Sequence, residues 1–478
     1  MNKEKTIEYE KIYKAAPQLR DLFESHSGDE ASIDKANEIV TRTGKYVFAP
    51  VLNSFVVHVL NDAMEKGIKT LYFLARDGYF YHRIAEKYVK EFGLNINCKY
   101  LYVSRLSLRV PLYHLDVDQA LSYITLSGVD VTPITVLNRS GLPEGDMAKF
   151  IEKIATHLKI QKDEQIPRHR LKEVKSILKN DIDFLELLTS NSKKEYATAF
   201  RYLEESGLGT SEKIAIVDSG WVGSIQQSLG KFRSAMGGMA PIEGYYYGLY
   251  ELPAKADERY YHSYLFGPRS RLKEKVDFNN CLFECIFSAP HGMTLKYKIE
   301  SDRAVPVLSD VTKKQIDFLN GIEGIIGDYQ NRVIRKYDNF QEINRLFNNP
   351  LSKKTIKKAL FSFMAKPSKA EAEAFGRLHF SDDVIDYDNA VLATRLTEKD
   401  LHDNHFLRRV YLELREMIFG KRYVVNISGW YEASVMLYAK PLRVQYHLMA
   451  YNHYKYYMQY SKRRRWIRER EKNEKTCY

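Results

Sequence analysis

Two segments of this 478-residue chain place an aspartate and glycines directly after an apolar run of strand length. The first, LYFLARDGYFYHRIAEKY, carries Arg76, Asp77 and Gly78 after the run 70–75. The second, IAIVDSGWVGSIQQSLG, carries Asp218, Ser219, Gly220, Gly223 and Ser224 after 214–217. A helical pattern follows each. In open α/β sheets, ligands sit beyond the carboxyl ends of strands, where helix N-termini offer free backbone N–H groups. Gly78, Gly220 and Gly223 would permit the tight turn and close backbone approach that an anion needs. Asp77 and Asp218 are the candidate catalytic carboxylates, able to hold a proton, a sugar hydroxyl or a metal such as magnesium. Arg76 could clamp a phosphate oxygen. Each loop also has a plainer reading, since an aspartate there is often a helix N-cap and a glycine often turn chemistry. Two such loops in one chain favour an anion-binding site.

Further candidates follow the next strand-like run, 100–104: Ser104 and Arg105 stand at its carboxyl end, with Arg109 one turn on. There a guanidinium either reaches the same crevice or is a solvated cation. Glu284 lies in CLFECIFSAPHGMTLKY, between Cys281 and Cys285. Two thiols one helical turn apart could join two other ligands around zinc. No second cysteine pair exists, and Leu282, Phe283, Ile286 and Phe287 surround them, which favours buried structural cysteines. His291, next to Gly292, is a lone candidate acid or base.

The elements that must position these residues are read from hydrophobic spacing. Val51, Leu52, Phe55, Val56, Val59 and Leu60 predict a helix over 48–64, with Pro50 in its first turn. Strand 70–75, helix 79–90, strand 100–104, strand 214–217, helix 224–232 and strand 243–250 complete an α/β pattern with a parallel sheet. The expected organisation is an N-terminal surface-helix segment (1–45), a first half of the α/β domain (46–114), a helical insertion or cap (115–205), the second half (206–300), and a mostly helical region (301–478). That last region has a break at 365–369 and a strand at 422–427. Ser219-Gly220-Trp221 recurs at 428–430, too short a match to mark a duplication.

Composition bounds the function. With 44% hydrophobic and 28% charged residues the chain is a folded protein, long enough for two or three domains. Lys and Arg number 73 against 61 Asp and Glu, a formal charge of +12 that is moderate for this length. Four cysteines are too few for a disulfide scaffold and point to a reducing compartment. The first twenty residues have no apolar signal core, and no unbroken apolar run of spanning length occurs. A cytoplasmic protein is therefore expected. The 35 tyrosines are most simply a bias of genome composition.

The C-terminus differs in kind. Lys462, Arg463, Arg464, Arg465, Arg468 and Arg470 flank Trp466 with Glu469 among them, after a stretch rich in tyrosine. Such a tail suits an anionic membrane surface, which would place the protein at the inner face of the membrane. A solvated helix end is the plainer alternative. RNA ranks last, since no single-stranded RNA module is legible.

FLARDGYF, YLYVSR, VDSGWVGSIQ and ECIFSAPHGMTLKY, in this order over roughly 46–300, resemble a bacterial family described as hydrolases of the haloacid dehalogenase superfamily. Its members are often encoded with glycosyltransferases in capsule and lipopolysaccharide clusters. The resemblance implies a role in surface-polysaccharide assembly, with a sugar phosphate or nucleotide sugar bound between the two loops, or a non-catalytic partner of a glycosyltransferase at the membrane. The superfamily's Asp-x-Asp motif is absent. Ala75 stands where the nucleophilic aspartate would be and only Asp77 is kept, so the chain resembles the companion region of those proteins, and no aspartyl-phosphate can form there. The two loops are also similar to the phosphoribosyltransferase plan. That likeness implies Arg76, Asp77 and Gly78 around pyrophosphate, Asp218 on ribose hydroxyls, and Gly220 to Ser224 around a phosphate. The usual second acid is Ser219 here, and the Thr-Thr-Gly pattern is missing.

Overall fold

A computed structural model describes residues 2–23, 35–128, 131–380, 390–419 and 425–476. The elements used below are, in chain order, α1 (Asn2–Tyr13), α2 (Ala49–Glu65), β1 (Thr70–Leu74), α3 (Gly78–Phe92), β2 (Asn97–Leu101), α4 (Ile182–Glu205), β3 (Ile214–Trp221), α5 (Ser224–Ala235), β4 (Glu243–Leu249), β5 (Tyr261–Phe266), α6 (Asn280–Ile286), α7 (Lys313–Lys336), α8 (Pro350–Ala365), α9 (Phe406–Phe419) and α10 (Val444–Thr476). The fold is mixed α/β and mostly helical, around one five-stranded parallel sheet of order β2-β1-β3-β4-β5.

β1 is buried along its whole length, as a parallel strand covered on both faces must be. Alternation sends Leu71, Phe73, Ala215, Val217, Tyr245 and Tyr247 into one hydrophobic cluster with side chains of α2, α3, α7 and α8. Tyr72, Leu74, Ile214, Ile216 and Tyr246 enter a second cluster, on the other face, with Ala199 and Leu203 of α4 and Leu229 and Phe232 of α5. Between β2 and β3, helices carry a third cluster of their own, including Val110, Leu121, Phe150, Val174 and Phe184.

The N-terminal segment is helical and lies at the surface as expected: Ile12, Tyr13, Leu19, Leu22 and Phe23 form its buried face, Glu10, Lys11 and Lys14 stay exposed, and Tyr9 donates to Glu371 at 2.6 Å. Three expectations are corrected. The second strand is 97–101 instead of 100–104. Its register, Thr70↔Asn97 to Leu74↔Leu101, is set by the end of β1, and Ser104 already caps the next helix. β3 runs on to Trp221, pairing as far as Leu249, where a loop was expected after Val217. Of the strand expected at 422–427, residues 422–424 lie outside the described residues and 425–427 have no regular structure.

One helical stretch, Glu38–Glu65, is apolar and long enough to cross a membrane by composition, but 78% of its apolar window is buried in the protein. It includes α2, which packs against α3 and carries core residues such as Leu52, Phe55 and Leu60. The basic tail is docked as well. Trp466 is buried in the second cluster and donates its indole N–H to the Leu252 carbonyl at 3.2 Å, and Arg470 donates to the Ala256 carbonyl at 3.1 Å.

Candidate functional site

The strand order reverses between β1 and β3: the chain adds β2 on one side of β1, then β3, β4 and β5 on the other. A parallel sheet opens a crevice beyond the carboxyl ends of its strands at such a point. Asp77 follows β1 and Asp218 lies near the end of β3, so both carboxyls arrive there. α3 starts directly over β1 because residue 78 is glycine. A Cβ there would stand 2.8 Å from the carbonyl carbon of Phe73.

Asp77 occupies the N-cap position of α3, yet its carboxylate makes no cap bond. It accepts a hydrogen bond from the Ser219 hydroxyl. That hydroxyl is 3.2 Å from the Tyr81 hydroxyl, so Tyr81 donates to Ser219 when Ser219 donates to Asp77. Asp218 is a strand residue and caps nothing. It is buried, and the Ser219 backbone N–H donates to its carboxylate. Glu284, on α6, accepts the indole N–H of Trp221. The capping explanation therefore fails for both aspartates.

The three carboxyls share two guanidinium groups. Burial raises the Asp77 carboxyl, and Arg76, Arg105 and the Ser219 bond pull it back. Burial and then the nearby Asp77 carboxyl hold Asp218 well above the usual carboxylate range, against the Ser219 N–H and Arg105. Burial and then Asp77 push Glu284 up to about 7, opposed by the Trp221 indole, Arg105 and Arg76. Arg105 is exposed, whereas Arg76 and Asp77 are half-buried. The result is a cluster with Arg105 toward solvent and three carboxyls of raised proton affinity beneath it, an arrangement able to bind an anion and move a proton to or from it.

A carboxyl whose pKa is raised by folding stabilises the fold when protonated. That contribution is present below the unfolded value of about 4.5 and is lost as pH rises toward the folded value of about 7. Glu284→Gln keeps an acceptor for Trp221 and cannot ionise. Relative to wild type, it should gain about 1–3 kcal/mol between pH 4.5 and pH 8. Urea melts at both pH values measure this, and a constant difference would remove Glu284 from the cleft's proton balance.

The other expected site residues divide. Ser104 is a structural cap: its Oγ accepts from the Ser107 N–H at 3.0 Å and donates to the Thr294 carbonyl at 2.6 Å. Gly220 is inside the sheet, where a Cβ would stand 2.1 Å from the Gly248 carbonyl oxygen, so it serves strand pairing and not a loop. Gly223, at φ +74°, does open α5, and a Cβ there would meet the Tyr261 ring at 2.9 Å. Ser224 accepts from Arg109 at 3.0 Å, while Arg109 lies over the Tyr123 ring. Arg109 is thus neither in the cleft nor simply solvated.

Residues that the sequence reading left out or left unpartnered also line the region. Tyr81 stands one helical turn after Asp77, a spacing that could have flagged it. Trp221 lay within the motif itself. His291 has partners: its Nδ1–H donates to its neighbour's carbonyl at 2.8 Å, leaving Nε2 to accept from the Tyr100 hydroxyl at 2.8 Å. Cys285 donates to the His379 carbonyl at 3.4 Å. Among the described residues, no group of three or more His, Cys, Asp or Glu side chains is placed to hold a metal ion. No protein-family model matches the sequence, and no curated protein matches it.

Proposed function

We propose that this protein acts on a sugar phosphate or nucleotide sugar in the cleft between β1 and β3, as an enzyme of bacterial surface-polysaccharide assembly. The observation that carries this reading is the gathering of Asp77, Asp218 and Glu284 at the reversal of strand order, with Arg105 acting on all three and Arg76 on Asp77 and Glu284. The guanidinium groups bind the phosphate, and its negative charge is placed where Arg105 already faces solvent. Asp77, held by Ser219, is the carboxylate toward which a sugar hydroxyl or a water is oriented. Asp218, whose hold on its proton is strengthened by burial and by the nearby Asp77, is the group that supplies a proton to the leaving oxygen, and Glu284 is the second proton store.

Hydrolysis and glycosyl transfer use the same constellation and differ in whether water or a sugar hydroxyl attacks. With Ala75 ahead of Arg76 and Asp77, the scheme is acid–base and forms no aspartyl-phosphate. Were magnesium bound with the ligand, Asp77 or Asp218 would hold it and it would supply positive charge against the phosphate. The carboxyl that holds it must be ionised, so magnesium binding should strengthen as pH rises.

Asp77→Asn and Asp218→Asn should each lower turnover on a panel of sugar phosphates and nucleotide sugars by about 100-fold or more, the usual worth of a positioned acid or base. Their melting temperatures at neutral pH should not fall below wild type, because neither carboxylate caps a helix and an amide avoids the cost of ionising a buried carboxyl. Full activity in both variants would refute the assignment.

A further inference from the structure

α9 and α10 form a second feature, remote in kind from the cleft. Along α9, Leu407, Tyr411, Leu414 and Ile418 are exposed, with Leu407 at 79% and Ile418 at 71%. Their spacing of four, three and four residues puts them on one face of the helix. Phe406 packs its ring against Tyr457 of α10 at 5.1 Å, so this stripe begins beside an exposed row on the second helix. That row is Tyr446, Met449, Tyr457 and Tyr460, and it continues C-terminally into exposed Arg464 and Arg468.

The opposite side of α10 is fixed to the body. Tyr451 stacks on Tyr431 at 3.9 Å, Lys455 donates to the Val276 carbonyl at 2.7 Å, and Trp466 is buried. Exposure of the outer row is therefore set by a rigid attachment and is not that of a loose tail. Lys462, Arg464, Arg465 and Arg468 are all exposed. No ion pair engages any of the four among the described residues; Glu469 and Glu471 are the acids beside them.

We infer that the outer face of α9 and α10 docks on an anionic lipid bilayer. Aliphatic side chains would enter the acyl boundary, tyrosines would sit at headgroup level, and the arginines would meet lipid phosphates. Charge complementarity selects this occupant. Three arginines, Arg464, Arg465 and Arg468, beside an apolar stripe fit a surface that is both oily and negative. A second copy of the chain would bring the same positive charge, and RNA has no use for Leu407, Leu414 or Ile418. Leu252 and Ala256, which anchor α10, follow β4 at the same end of the sheet as the cleft.

Sedimentation with vesicles of phosphatidylcholine, alone or mixed equally with phosphatidylglycerol, tests this in the full-length protein. Binding is expected only with phosphatidylglycerol and should weaken with salt. Arg464→Gln/Arg465→Gln/Arg468→Gln should reduce it on the order of 100-fold, and Leu407→Gln/Ile418→Gln about tenfold or more. Because all five side chains are exposed, both variants should melt like wild type. Wild-type binding by either variant would overturn the inference. So would failure of the wild type to bind together with a dimer that Leu407→Gln/Ile418→Gln dissociates, or binding to poly(U) but not to vesicles.

Discussion

Replacing Arg76 and Arg105 together by alanine should weaken binding of a nucleotide sugar or sugar phosphate by about 100-fold or more. Each hydrogen bond to a charged partner contributes about 1.5–3 kcal/mol, and two guanidinium groups are lost at once. The direction of the accompanying change is as informative as its size. Both cations lower the affinity of Asp77 and Glu284 for protons, so their removal should raise both carboxyls further. The double variant should therefore bind weakly and hold more protons than the wild type near neutral pH. Titration calorimetry in buffers of different ionisation enthalpy separates the two effects. Undiminished binding would mean that the phosphate lies elsewhere, most simply at the start of α5, where Gly223 and Ser224 stand.

Gly220→Ala is expected to be costly in a different way. The residue sits at φ +118°, and its added Cβ would meet the Gly248 carbonyl oxygen at 2.1 Å. Both the backbone conformation and the β3–β4 spacing must yield, a loss of about 3 kcal/mol or more. The variant should be strongly destabilised in urea, and ligand affinity should fall only as far as folded protein is lost. If it instead folds normally and fails only to bind, Gly220 belongs to a phosphate loop, as its place in the sequence suggested. Gly223→Ala is the useful contrast, since that residue opens a helix and its nearest contact is an aromatic edge.

These two sites show why one part of the chain was readable and another was not. The core helix from Ala49, β1, and the start of α3 at Gly78 follow from hydrophobic spacing and from glycine where backbone must approach backbone. Asp77 and Asp218 were legible as acids that follow apolar runs, although β3 continues past Asp218 to Trp221. Gly220 was misread because glycine signals both a loop and a close strand pair, and only the partner strand, with Gly248 opposite, decides between them. Ser104 has the residue type of a ligand donor, but its oxygen is already committed to Ser107 and Thr294, partners 3 and 190 positions away. The second of these is invisible to local spacing.

The long-range neighbours of the cleft were legible only in part. Glu284 was chosen from its motif, while its contact with Trp221 needs α6 folded against β3. The N-terminal segment was legible as a surface helix from the spacing of Ile12, Tyr13, Leu19, Leu22 and Phe23, which form its buried face. What it packs on was not legible: Lys5 reaches the Ser362 hydroxyl at 2.7 Å and the Lys366 carbonyl at 2.9 Å, and Tyr9 reaches Glu371. Those partners are more than 350 residues away in sequence. The basic C-terminal segment was legible as charge and not as geometry. Its cations were read together, whereas the helix divides them: Arg463 and Arg470 turn to the body with Trp466, and Arg464, Arg465 and Arg468 turn outward.

The central claim is that the cleft between β1 and β3 binds a phosphorylated sugar through its two arginines. The most direct measurement is thermal unfolding of the wild type and of Arg76→Ala/Arg105→Ala against a panel of sugar phosphates and nucleotide sugars, each with and without magnesium. A ligand at 100 times its dissociation constant stabilises the fold by about 2.7 kcal/mol, which a melting curve resolves. At least one member should raise the wild-type midpoint and leave the double variant unmoved. No shift with any member, or the same shift in both proteins, would contradict the account.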